Sequence, residues 1–85
     1  MNVTVLYFAR LREAVGHGRD QFVVPADVTT VAQLRTWLVA RGAPWSAALT
    51  EVKRVRAAVD QTMAGDDARL HEGAEVAFFP PVTGG

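Results

Sequence analysis

Apolar positions along this chain follow two different periods, and the periods divide it into elements. From Asn2 to Phe8 the run NVTVLYF is rich in β-branched and aromatic residues and predicts a strand. Alternation puts Val3, Val5 and Tyr7 on one face and Thr4, Leu6 and Phe8 on the other. ARLREAVG predicts a short helical turn that Gly16 and Gly18 break. GHGR then reads as a loop, and DQFVVP as a second strand closing a hairpin with a long connection.

The period changes at TTVAQLRTWLVARG. Val31, Leu34 and Leu38 fall at i, i+3 and i+7, one stripe of a helix. Thr30 and Gln33 fit a capping box, in which hydroxyl and amide each satisfy a backbone N–H left free at the helix start. Gly42 stands where a left-handed cap belongs, and Pro44 prevents continuation. PWSAALTE predicts a second, short helix with proline in its first turn. RVRAAVD reads as a third strand with Val55, Ala57 and Val59 on one face, followed by a short strand around Thr62 and Met63. The acidic stretch to Glu75 is otherwise loop, and EVAFF is the last strand, Val76 and Phe78 alternating with Ala77 and Phe79.

The order β-β-α-β-(β)-β contains no internal repeat and no linker. It is satisfied by an α+β domain, one mixed sheet packed on one main helix, with the first and last strands as central neighbours. That is the β-grasp, or ubiquitin-like, architecture. The expected division is a domain over residues 1–79 and a flexible tail over residues 80–85.

Composition narrows the function. Eighty-five residues suit a single domain, and 49% apolar with 21% charged residues marks a globular chain, not a disordered one. Zero formal net charge argues against a nucleic-acid partner. The absence of cysteine excludes disulfides, thiolate metal sites and a cysteine nucleophile. The start MNVTVLYFARLRE lacks a basic n-region, and no apolar run reaches the roughly 20 residues of a membrane span. The expectation is a cytoplasmic domain with neither membrane nor nucleic-acid partners.

Little conventional chemistry is present. His17 lies between glycines and His71 in a polar loop, without a second ligand at metal spacing, so no metal is expected. GHG lacks the lysine and helix that complete a phosphate loop, and GDDARLHEGAE lacks the terminal glutamate of a calcium loop. Ser46, the one serine, sits at an ordinary helix start.

Two features exceed ordinary structure. Leu6, Phe8, Ala77 and Phe79, with Met63 beside them, fall on the sheet face opposite the helix, where polar residues are the rule. Scattered surface hydrophobes are common, but neighbours on two central strands suggest a partner surface. Arg54 and Arg56 on the third strand would rim it. The second feature is the ending FFPPVTGG. Pro80 and Pro81 cannot join a ladder and stiffen the exit, and Val82 and Thr83 follow. Gly84 and Gly85 have no Cβ to obstruct a narrow channel. A frayed terminus is one reading. Delivery of a C-terminal carboxylate into another protein's active site is the other.

Here the residues meet a family. VLYFARLRE, AAVDQT and above all EVAFFPPVTGG resemble the small sulfur-carrier subunits of molybdopterin synthase, and the resemblance spans nearly the whole chain. It implies a ubiquitin-like fold and adenylation of Gly85 by an E1-like enzyme that uses ATP and magnesium. It further implies replacement of AMP by sulfur from a donor, and delivery of that sulfur to a cyclic pyranopterin on the large subunit, in a heterotetramer. The chain would bind no permanent cofactor and be no enzyme alone. Its docking residues would be Leu6, Phe8, Met63 and Phe79, with Arg12 at the rim. Asp60 departs from the family's usual asparagine, and EGAE from a more acidic turn. Two other readings share the tail chemistry: a sulfur carrier for thiamin, cysteine or thiolated tRNA, and a modifier that Gly85 joins to lysines.

Overall fold

Strand β1 (Asn2–Tyr7) is set by alternation: Val3, Val5 and Tyr7 are each at most 2% exposed. The computed structural model describes residues 1–52 and 54–81. Beyond β1 the chain turns through Ala9, whose φ of 53° lies in a region that residues with a Cβ rarely adopt. Helix α1 (Arg10–Val15) follows, burying Leu11 and Val15 one turn apart. Gly16, at φ 96°, closes it by donating its N–H to the Arg12 carbonyl at 2.9 Å.

Strand β2 (Arg19–Val23) returns antiparallel, pairing Asn2 with Val23 through to Leu6 with Arg19. It begins one residue before the expected Asp20, because the Tyr7 N–H bonds the Gly18 carbonyl at 3.0 Å and draws Arg19 into the ladder. It stops short of Pro25, which has no N–H to offer.

Helix α2 (Val31–Ala40) carries the capping box the sequence predicts. The Gln33 N–H donates to Thr30 Oγ1 at 3.3 Å, and Gln33 Oε1 accepts from the Thr30 N–H at 3.1 Å. Gly42 follows at φ 88° and donates to the Val39 carbonyl at 3.1 Å, ending the helix as a left-handed residue does. Helix α3 (Trp45–Glu51) starts just after Pro44. Strands β3 (Arg56–Val59) and β4 (Thr62–Ala64) form a hairpin whose turn residues, Asp60 and Gln61, both have positive φ, 50° and 69°. Strand β5 (Ala74–Phe79) completes a five-stranded sheet of order β2-β1-β5-β3-β4.

The first and last strands are the central, parallel pair, in register from Val3 opposite Ala74 to Tyr7 opposite Phe78. One face of this sheet meets the helices. Val5, Val76 and Phe78 from the sheet and Val31, Leu34 and Leu38 from α2 are completely buried. Each such side chain contributes on the order of 1.5–3 kcal/mol through burial. The fold is the expected α+β β-grasp, although α1 and α3 share the covering with α2 through Leu11, Val15, Ala48 and Leu49. Among the described residues no helix is long and apolar enough to cross a membrane.

One expectation is corrected. Arg54 precedes β3 instead of lying on it, at φ 57°. That left-handed backbone breaks the strand period, and Arg54 lines a groove with Arg35, Leu49 and Asp66, away from the face it was expected to rim.

Candidate docking face and C-terminal exit

Register determines which side chains share the uncovered face. Leu6 on β1 is opposite Ala77 on β5, Ala77 is opposite Ala58 on β3, and Ala58 is opposite Met63 on β4. Directly opposed residues present their side chains on the same face. A continuous apolar row therefore crosses four strands. Toward the exit of β5, Phe79 stands opposite Arg56. Phe8 continues the central ladder one residue past β1, its N–H donating to the Phe78 carbonyl at 3.1 Å. Phe8 is 49% and Met63 55% exposed, while Leu6, Ala58, Ala77 and Phe79 are partly buried. Sequence reasoning overlooked Ala58, although alternation against the inward Ala57 was there to find it.

Arg12 stands off this row, toward the edge of the sheet. It is exposed on α1, and its Nε is 3.4 Å from where a Cβ on residue 18 would sit. The guanidinium therefore lies over the backbone of the β1–β2 connection, at the margin of the sheet. Beyond Phe79 the ladder ends, and Pro80 and Pro81 are partly buried. Val82, Thr83, Gly84 and Gly85 lie outside the described residues.

The sequence profile of the ThiS family matches residues 5–85. The chain belongs to the ThiS family. The molybdopterin synthase sulfur carrier subunit of Escherichia coli is 48% identical to it over 83 residues, covering 98% of this chain and 99% of that protein. Among solved structures, SAMP1 of Haloferax volcanii superposes with a TM-score of 0.77 at 26% identity, covering all of both chains. A chain from the complex of subunits 1 and 2 of the molybdopterin-converting factor of Helicobacter pylori has the same fold, with a TM-score of 0.66 at 20% identity over all of both chains.

In this ThiS-family chain the polar groups around the sheet serve mainly as ties. The Tyr7 hydroxyl donates to Asp20 at 2.8 Å and accepts from Trp45 Nε1 at 2.9 Å, joining β1, β2 and α3. Burial, reinforced by the Asp20 carboxylate, pushes that hydroxyl well above the ordinary phenol range. His17 Nε2 is 2.7 Å from the same carboxylate. At the far end of the sheet, Asp60 accepts the Glu75 N–H at 3.0 Å and pairs with His71. The backbone bond and the histidine hold the Asp60 carboxyl below its ordinary value, and the carboxylate raises His71 in return. An asparagine at position 60 would keep the backbone bond, so the departure to aspartate leaves the turn intact and adds a negative charge beside His71. Among the described residues no group of three or more His, Cys, Asp or Glu is placed to hold a metal.

Without cysteine, the chain has no thiolate to carry sulfur.

Proposed function

We propose that this chain is the sulfur carrier of molybdenum-cofactor synthesis, carrying sulfur as a thiocarboxylate on Gly85. The observation that carries the reading is the 48% identity, over nearly the full length of both proteins, with a molybdopterin synthase sulfur carrier subunit. The uncovered apolar face supports it, because a carrier must dock on partners that hold the chemistry. The missing cysteine supports it too, because sulfur must then ride on the main chain.

The chemistry follows from what a carboxylate lacks. It is anionic and has no usable leaving group. An activating enzyme joins it to the α-phosphate of ATP with loss of pyrophosphate, and AMP becomes the leaving group. A sulfur nucleophile attacks the acyl carbon and expels AMP, giving –C(O)SH. On the large subunit the sulfur attacks a carbon of the cyclic pyranopterin, and the new carbon–sulfur bond forms as a carbon–oxygen bond at that carbon breaks and its oxygen substituent leaves. Water then cleaves the acyl–sulfur bond, regenerating the Gly85 carboxylate and leaving sulfur on the product. Residues Pro80 to Gly85 span at most roughly 20 Å, enough to reach a recessed site from a docked domain. The role of the chain is positional: Leu6, Phe8, Met63 and Phe79 dock, and the tail delivers. The active site belongs to the large subunit, which sets this chain apart from an enzyme in its own right.

Intact-protein mass spectrometry tests this. Incubated with the E1-like enzyme, ATP, magnesium and sulfide, the chain gains the mass difference between sulfur and oxygen, localised to Gly85. Conjugates to lysine side chains without that gain would replace the carrier reading with a protein modifier.

A further inference from the structure

Two guanidinium groups border the apolar row, one at its β2 end and one beside it on β3. Arg19 on β2 is opposite Leu6, and Arg56 on β3 is opposite Phe79, so both rise on the uncovered face. Both are exposed, and neither takes part in an ion pair among the described residues. Three strand spacings separate β2 from β3 in the sheet order, roughly 14 Å.

Carboxylates at the far end of the sheet are in a different condition. Glu72 accepts from the Asn2 N–H at 3.0 Å and from Asn2 Nδ2 at 2.7 Å, and Asp60 is held by His71 and the Glu75 N–H. Among the described residues Glu75, opposite Thr4 on the uncovered face, has no side-chain partner, but Glu72 and Asp60 are satisfied within the fold. The donors of Arg19 and Arg56 are not. The whole chain has zero formal net charge, so the asymmetry is one of placement and not of surplus. A guanidinium is weakly hydrated and matches a carboxylate through two parallel N–H bonds, which makes it suited to a desolvated rim.

We propose that Arg19 and Arg56 are docking residues that engage carboxylates on an acidic face of the large synthase subunit, Arg19 at the β2 end of a strip that receives Leu6, Ala77, Ala58 and Met63, and Arg56 beside that strip on β3. This inference rests on the reading that the uncovered face docks that subunit, and it adds the charge and spacing the partner surface must have. Charges at a rim act chiefly on encounter, raising the association rate and making it depend on salt.

The test is association kinetics between the full chain and the purified large subunit of the same organism, at low and at high ionic strength. Wild type associates faster at low salt. The Arg19→Glu/Arg56→Glu chain associates roughly tenfold or more slowly at low salt and loses most of the salt dependence. The Arg19→Gln/Arg56→Gln chain falls between them, and its neutral side chains guard against a folding artefact, checked by its melting curve. A double variant with the wild-type rate and salt dependence overturns the inference while leaving the partner reading in place. A wild-type chain that fails to bind the large subunit at either salt overturns both.

Discussion

Strand β5 holds two destinies in alternate residues. Val76 and Phe78 are completely buried under the helices, whereas Ala77 and Phe79 stand on the uncovered side beside Met63 and Leu6. All are apolar, and all satisfy the same strand period. Composition alone therefore does not distinguish the side that the helices bury from the side left uncovered. The distinction comes from the number of helices. One layer of three short helices covers one face, and an antiparallel or mixed sheet with a single covering layer ordinarily turns polar residues outward. Where it does not, the apolar surface left over is available to a partner.

That contrast makes opposite demands on neighbouring residues. Phe78→Ala should lose about 3–5 kcal/mol of folding stability, since the ring is fully buried and its loss leaves a cavity; urea unfolding measures it. Deleting Gly85 should leave the urea midpoint unchanged yet slow sulfur transfer on the order of a hundredfold or more. The carboxylate withdraws by roughly 3.3 Å, and about 1 Å of misplacement already costs that much. Phe79→Arg, one residue from Phe78, should fold with a near-normal midpoint and lose about 2 kcal/mol or more of affinity for the large subunit, roughly thirtyfold, as an aromatic anchor is replaced by a charge. Titration calorimetry reads that loss. Equal damage to stability would mean that the two faces of β5 had been assigned in reverse.

The smallest effect concerns the ties at the end of the sheet. His71 holds its proton more tightly in the native state, so its contribution is complete below its ordinary 6.5 and is lost as pH rises through the higher native value. Asp60 is held charged, so its contribution is complete above 3.8 and is lost as pH falls through the lower native value. The pair stabilises most between roughly pH 4 and 6.5. Both groups are exposed, so the effect is small. Melting curves should show a slight decline of Tm as pH rises above 6.5 that His71→Gln lacks.

Much of this was legible in the sequence because it rests on local rules. The capping box at Thr30 and Gln33, the inward set Val3, Val5 and Tyr7, and the central pairing of the end strands follow from periodicity and topology. The apolar outer row was legible for the same reason, except for Ala58, whose small side chain drew no notice. Backbone conformations that break period were not legible. Arg54 sits at positive φ and so leaves the strand that alternation assigns to it. Nor were long-range ties, such as Tyr7 with Asp20 and Trp45 or Asp60 with His71, because no spacing rule connects residues that only the fold brings together.

The central claim is that sulfur leaves the end of this chain while the chain is docked by its uncovered face. A single-turnover reaction of the thiocarboxylated chain with the large subunit and cyclic pyranopterin tests it directly, reading thiocarboxylate by intact mass and dithiolene by fluorescence of its oxidised pterin. A dithiolene holds two sulfur atoms and each chain delivers one, so two chains should revert to carboxylate for every dithiolene formed. Dithiolene that accumulates while the thiocarboxylate stays intact would contradict the account.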